Sequence, residues 1–175
     1  MINIISGKYK GRKLTQFNTK IVRPTQAKVR KSIFDILGPL DNMNVLDLYS
    51  GIGSLGIESL SRGASHLTVV ENNPQIFKIL LKNIQLICKD DDVKLHRMSV
   101  NRFLNINNQK FDIIFADPPY DDQFNFFEIR KSISNFLKVK GIFCMEMKKT
   151  NVLNSEEGIR IKKYGNTQVV FWRTN

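Results

Sequence analysis

One segment constrains the fold more than any other. The apolar run Asn44, Val45, Leu46, Asp47, Leu48 passes through Tyr49 and Ser50 into Gly51, Gly53 and Gly56, and a helical apolar pattern follows. A strand that breaks into GxGxxG and then a helix is the opening unit of an open parallel α/β sheet, because glycines allow the tight turn and the close approach of a ligand to backbone. The chain keeps that alternation. Strands are predicted at Val45–Leu48, Leu67–Glu71, Val93–Arg97, Phe111–Ala116 and Ile142–Met147. Helices are predicted at Leu55–Arg62, Pro74–Ile87 and Phe124–Leu137, with a short one near Asn101–Leu104. Gly63 stands where a left-handed helix C-cap belongs. Crossover helices imply parallel strands covered on both faces. The tail departs from this pattern: Ile159–Tyr164 and Thr167–Trp172 flank the tight-turn pair Gly165-Asn166 and form a hairpin. The expected body is a doubly wound, mainly parallel sheet of seven strands with an antiparallel C-terminal hairpin.

Ahead of this body, Ile2–Ser6 and Arg12–Phe17 read as a small hairpin around Gly7 and Gly11. Arg23-Pro24-Thr25 follows, with Thr25 placed to cap a helix from Gln26 to Leu37 whose Val29, Ile33, Phe34 and Leu37 share a face. Charge concentrates here. The chain carries 27 basic and 16 acidic side chains, yet residues 1–34 hold nine basic groups and no acid, which leaves the remainder at only +2. A basic arm beside a nearly neutral body suits a polyanion, and nucleic acid above all. Lys8, Lys10, Arg12, Lys13, Arg23 and Arg30 are the candidate nucleic-acid contacts. Residues 1–38 are accordingly read as a basic nucleic-acid-binding extension and residues 39–175 as the main domain.

At 42% hydrophobic residues the chain is not disordered. Its longest apolar runs, such as Phe111–Ala116, are strand-sized and too short to span a bilayer. The first residues lack the ordered regions of a signal peptide. Cys88 and Cys144 fall outside any CxxC pattern and are expected as buried free thiols in a reducing cytoplasm.

Glu71 closes the second predicted strand, 20 residues after Gly51, where a carboxylate can accept bonds from both ribose hydroxyls of a nucleoside cofactor. Asp47, just ahead of the glycines, would oppose a pyrophosphate but suits an ammonium. S-adenosylmethionine is therefore expected rather than NAD, and the chain is too short for a dehydrogenase with a separate substrate domain. Asp117-Pro118-Pro119-Tyr120 follows the fourth strand and projects from the same edge as the glycine loop. Two prolines fix a rigid edge of carbonyls. The Asp117 carboxylate and the Pro118 carbonyl can accept the hydrogens of an exocyclic amine, and Tyr120 offers a ring for stacking a base. One of Phe124, Phe126 and Phe127 could wall that pocket, with the others in the core. The combination indicates an amine methyltransferase.

Asp-Pro-Pro-Tyr resembles motif IV of amino-directed S-adenosylmethionine-dependent methyltransferases. Residues 7–14 (Gly-Lys-Tyr-Lys-Gly-Arg-Lys-Leu), 23–25 (Arg-Pro-Thr), 47–64 and 164–167 (Tyr-Gly-Asn-Thr) resemble, along nearly the whole chain, the bacterial small-subunit rRNA guanine-N2 methyltransferases called RsmD. The resemblance implies a Rossmann-like class I methyltransferase fold and methylation of one guanine in 16S rRNA, on the small subunit or a late assembly intermediate. A cytoplasmic monomer without metal or membrane is expected. It further implies that Asp47, Gly51, Gly53 and Glu71 hold the cofactor, that Asp117, Pro118 and Tyr120 hold the base, that the basic arm binds RNA, and that Arg23 and Thr25 lie near the site, on RNA or in structural support. Asn72, Ser99, Val100 and Asp117 complete the expected cofactor set. Such enzymes usually carry an acid after the third strand to meet the adenine amine; here Arg97-Met98 leads to Ser99, whose hydroxyl, or backbone near Val100, takes that role. Tyr49-Ser50-Gly51-Ile52 replaces the more usual Phe-Ala-Gly-Ser, a change tolerable where backbone does the binding. The competing readings are an adenine-N6 methyltransferase acting on DNA or RNA, and a non-catalytic RNA-binding protein that keeps the fold.

The remaining polar residues read as structural. His66 and His96 have no partner at ligand spacing, Asp90-Asp91-Asp92 lacks the rest of a calcium loop, and Trp172 packs in the last strand. Glu58 suits either the site or a packing edge.

Overall fold

The computed structural model describes residues 2–16, 27–119, 125–150 and 158–175. Phe17, Arg23, Thr25, the first residue of the predicted arm helix, Tyr120 and Phe124 lie outside them. A short antiparallel pair, β1 (Ile2–Asn3) and β2 (Lys13–Leu14), opens the chain, and α1 (Ala27–Leu37) follows. The body then runs β3 (Asn44–Leu48), α2 (Ser54–Ser61), β4 (His66–Val70), α3 (Pro74–Ile87), β5 (Asp92–His96), α4 (Val100–Ile106), β6 (Phe111–Ala116), α5 (Phe126–Ile133), β7 (Leu137–Lys148), β8 (Ile159–Tyr164) and β9 (Thr167–Arg173). The large sheet has the order β5-β4-β3-β6-β7-β9-β8, with the last two pairings antiparallel. The order reverses between β3 and β6, which opens a crevice at their carboxyl ends.

Alternation along the strands divides the core. Val45, Leu67, Val69, Ile113, Phe115 and Cys144 pack on one face against α1, α2 and α3. Leu46, Leu48, Val70, Ile114, Phe143 and Met145 pack on the other against α4 and α5. Ile4 and Leu14 of the N-terminal segment, with Val29, Ile33 and Phe34 of α1, belong to the first of these clusters, so the hairpin and α1 share a core with the sheet. Asn73 caps α3 by accepting the Gln75 and Ile76 N–H groups, and Pro74 occupies the first turn.

The predicted helix 124–137 is too long at its C-terminal end. Helix α5 stops at Ile133, a 3₁₀ turn spans Ser134–Phe136, and Leu137 already pairs with Phe111. The β6–β7 register then shifts so that Ile142 meets Ile113, and Lys140 takes φ 61° within the extra residues. Tertiary pairing overrides a segment that is locally compatible with helix. Among the described residues no helix is long and apolar enough to cross a membrane.

Candidate active site

Four strand ends set the site. Leu48 of β3 is level with Val70 of β4 and with Ala116 of β6, and Ala116 is level with Met145 of β7. The next residue of each strand falls on one row along the carboxyl edge: Tyr49, Glu71, Asp117 and Glu146.

The glycine turn is held by the two acids the sequence singles out. Asp47, only 1% exposed, accepts the Gly56 N–H at 3.0 Å. A Cβ on Gly56 would sit 3.0 Å from both Leu67 methyls and 3.1 Å from the Asp47 carboxylate, so a larger residue would push these neighbours back by a few tenths of an ångström. Glu71 accepts the Gly51 N–H at 3.0 Å and the Asn73 N–H at 2.7 Å. Ser50 closes the seam: its hydroxyl donates to the Asp47 carbonyl at 2.5 Å and accepts the Val70 N–H at 3.0 Å. Tyr49 leaves β3 with φ 58°, a left-handed conformation rarely adopted by a bulky residue.

Desolvation dominates the electrostatics. Burial pushes the Asp47 carboxyl up to about 7 against the opposing Gly56 hydrogen bond, and the Glu71 charge adds to the rise. Glu71 is also raised, chiefly by burial, despite bonds from the Asn73, Gly51 and Asn72 N–H groups. Two desolvated carboxylates flanking a glycine turn form a site that a cationic ligand would relieve. Burial likewise pushes the Cys144 thiol well above its usual range, and the charges of Glu146, Asp117 and Asp47 add to the rise.

Asp47, Gly51, Gly53, Glu71, Asn72, Asp117 and Pro118 thus collect at one edge, with Asp117 half-buried and Pro118 buried. Ser99 and Val100 stand after β5, at the start of α4. The Ser99 hydroxyl caps that helix by accepting the Arg102 N–H at 3.3 Å, which leaves its proton and one lone pair for any ligand. His66 uses both ring nitrogens on Asp92 and Thr68, at 2.7 and 2.9 Å.

The basic arm needs correction at Arg30. Its guanidinium is 1% exposed and lies beneath the hairpin, bonded to the Asn3 carbonyl and 3.9 Å from Glu58, so it cannot reach a phosphate. Lys8 pairs with Asp91, and Arg12 donates to the Ile87 carbonyl at 3.1 Å. Lys10 and Lys13 are exposed and make no ion pair among the described residues. Glu58 proves to be the hairpin dock. Fully buried, it accepts the Ile5 and Ser6 N–H groups at 2.8 and 3.0 Å and the Arg62 Nε at 2.8 Å.

Sequence reasoning passes over Glu146 and Asn83. Glu146 is an acid that interrupts an apolar strand at its carboxyl end, the same signal that marks Glu71. Asn83, wholly buried, donates to the Thr15 and Ile52 carbonyls at 3.1 and 2.9 Å and so ties the N-terminal segment to the glycine turn. A lone Asn within an apolar helix carries no comparable signal.

The family described as Conserved hypothetical protein 95 matches residues 2–173. Ribosomal RNA small subunit methyltransferase D of Haemophilus influenzae is 33% identical over 179 residues, covering 98% of this chain and 92% of that protein. The chain belongs to the RsmD family. The Escherichia coli protein of the same description is 33% identical over 120 residues, 68% of this chain and 60% of that one. The solved structure of yhhF from Escherichia coli superposes with a TM-score of 0.86 at 27% identity, covering 99% of this chain and 97% of that one. The RsmD family membership and the seven-stranded order place the fold among the class I methyltransferases, as the resemblance implies.

Proposed function

We propose that this chain methylates the exocyclic N2 of a guanine in 16S rRNA, with S-adenosylmethionine as donor. The observation that carries this reading is the row at the sheet edge: a glycine turn between the desolvated acids Asp47 and Glu71, with Asp117 and Pro118 beside it. Those residues fit the cofactor. Glu71 keeps lone pairs for the ribose hydroxyls beyond its bonds to Gly51 and Asn73. Asp47 acts on the ammonium from beneath the turn. Ser99 and the Val100 backbone would meet the adenine.

Bound S-adenosylmethionine supplies a methyl already activated by its positive sulfur. The protein then needs only to position and polarise the amine and to exclude water. An ionised Asp117 is purely an acceptor and can take both the N1–H and the N2–H of guanine, and the Pro118 carbonyl can take the second amine hydrogen. Glu146 stands level with Asp117 on the neighbouring strand, a second buried acid at that end of the row. Transfer would form the C–N bond as the donor's S–C bond breaks, with the proton shed by the amine taken by its acceptor, the Asp117 carboxylate, and released to solvent as product leaves. Tyr120 is assigned to stacking of the unstacked base. Lys10 and Lys13, with Arg23 and Thr25, are assigned to the RNA around it. The substrate is the small ribosomal subunit or a late assembly intermediate, met by a cytoplasmic monomer.

Digesting the product RNA to nucleosides and separating them tests this reading. N2-methylguanosine is the expected product; N6-methyladenosine, or no labelled nucleoside, overturns it.

A further inference from the structure

Sequence arithmetic confines the basic excess to the first 34 residues, but the fold extends it. The hairpin lies along α3. Its tip docks where α2 and α3 end: Lys8 N–H bonds the Ser61 carbonyl at 2.8 Å, Lys8 pairs with Asp91, and Arg12 donates to the Ile87 carbonyl. Gly7 makes the dock possible, since with φ +82° a Cβ there would fall 1.7 Å from the Ser61 carbonyl oxygen. Farther along, Thr15 donates to Asn83 at 2.8 Å, and Asn83 continues to Ile52 in the glycine turn.

Helix α3 answers with its own charge. No acidic side chain occurs between Glu71 and Asp90. Lys78, Lys82 and Lys89 are exposed and form no ion pair among the described residues. Lys78 and Lys82 lie one turn apart on α3, about 40° round the helix from each other, and Lys89 stands in the turn just past the helix end at Ile87. Lys78 and Lys82 lie on the side away from Leu80 and Ile84, which face the core, about 140° and 100° round the helix from Asn83. Lys89 lies between Ile87 and Asp91, the two residues to which Arg12 and Lys8 tie the hairpin. From Lys78 to the helix end at Ile87, just before Lys89, α3 rises about 14 Å, starting one turn below the carboxyl edge where Glu71 and Asn73 stand.

From this juxtaposition we infer that α3 and the hairpin form one phosphate-binding track for the rRNA strand that flanks the target nucleotide. Lys78, Lys82 and Lys89 supply one rail, and Lys10, Arg12 and Lys13 the other. The inference rests on the proposed rRNA substrate and specifies where that RNA lies. The track leads from the amino edge of the sheet to the glycine turn, so RNA held on it is delivered toward the row containing Asp117.

The test uses the full chain and a fluorescein-labelled poly(U) oligonucleotide, titrated at several salt concentrations. Changing Lys78, Lys82 and Lys89 together to Gln should lower the magnitude of the log–log salt slope by about 2, the share of three single-strand phosphate contacts. The same three positions changed to Arg should keep the wild-type slope. Removing equal charge at Lys140, Lys162 and Lys163, on elements remote from α3, should also keep it. The KM for unmodified small subunits should rise in the α3 variant, with melting temperature and S-adenosylmethionine affinity at wild-type values to show that the fold is intact. An unchanged slope and KM in the α3 variant, or equal losses in the remote control, overturn the track. Failure of the wild-type protein to bind RNA at all overturns the rRNA reading instead.

Discussion

Glu71 accepts the backbone N–H of Gly51 at 3.0 Å, joining the end of β4 to the first glycine of the turn after β3. The acid assigned to the ribose is thus also the clasp of the loop that faces the rest of the cofactor. Replacing it removes both roles. Glu71→Ala is expected to weaken S-adenosylmethionine by at least tenfold, as the loss of hydrogen bonds to a charged acceptor costs roughly 1.5–3 kcal/mol. Glu71→Gln, which keeps one acceptor oxygen, should lose less. Calorimetry that finds Glu71→Ala equal to wild type, or NAD bound more tightly than S-adenosylmethionine, contradicts the assignment.

Asp47 predicts a pH dependence. Its carboxyl is held up at about 7 by burial, so it is largely neutral below that pH and anionic above it. A bound ammonium and sulfonium favour the anion. Affinity for the cofactor should therefore rise as pH increases through about 7, with proton release on binding near that pH. Calorimetry in buffers of different ionisation enthalpy reads the released proton directly. Asp47→Asn should abolish the release, and a wild-type affinity independent of pH would count against the pairing.

Asp117 is assigned to orienting the base amine. Asp117→Ala should lower turnover about 10²-fold or more, the scale for losing a well-placed polar group, while cofactor affinity changes much less. An active Asp117→Ala enzyme is the result that removes it from the mechanism.

Glu58 holds the hairpin. Glu58→Ala strands the Ile5 and Ser6 N–H groups and leaves Arg30 and Arg62 without their carboxylate. Losing one partner of a buried ion pair costs about 3–5 kcal/mol, so chemical denaturation should show a loss of that size. A loss below about 1 kcal/mol, the scale of an exposed pair, would mean that the hairpin is held by its other contacts, the bonds to Ser61, Ile87 and Asn83 and the packing of Ile4 and Leu14.

Much of this architecture is legible in the sequence because its signals are local. Strand–glycine–helix order, the Asn73-Pro74 start of α3 and the Gly165-Asn166 turn each specify their own element. Asp47, Glu71 and Asp117 are legible because they terminate or interrupt apolar strands that end at a common edge. Glu146 gives the same signal, more faintly, within the long β7. What stays hidden depends on contacts distant in sequence. Arg30 reads as one of nine arm cations, and only the fold places it under β1 beside Glu58. Lys78, Lys82 and Lys89 carry no signal in the sequence, and gain one only when Thr15 and Arg12 tie the hairpin to Asn83 and Ile87 of the same segment. Leu137 reads as helix because its pairing partner, Phe111, is 26 residues away.

The most direct test of the central claim is mass mapping of methylated nucleotides after small ribosomal subunits lacking this modification are incubated with the protein and labelled S-adenosylmethionine. A single N2-methylguanosine in 16S rRNA, absent with Asp117→Ala, is the predicted result; label on adenine, on several scattered guanines, or on no nucleotide would contradict it.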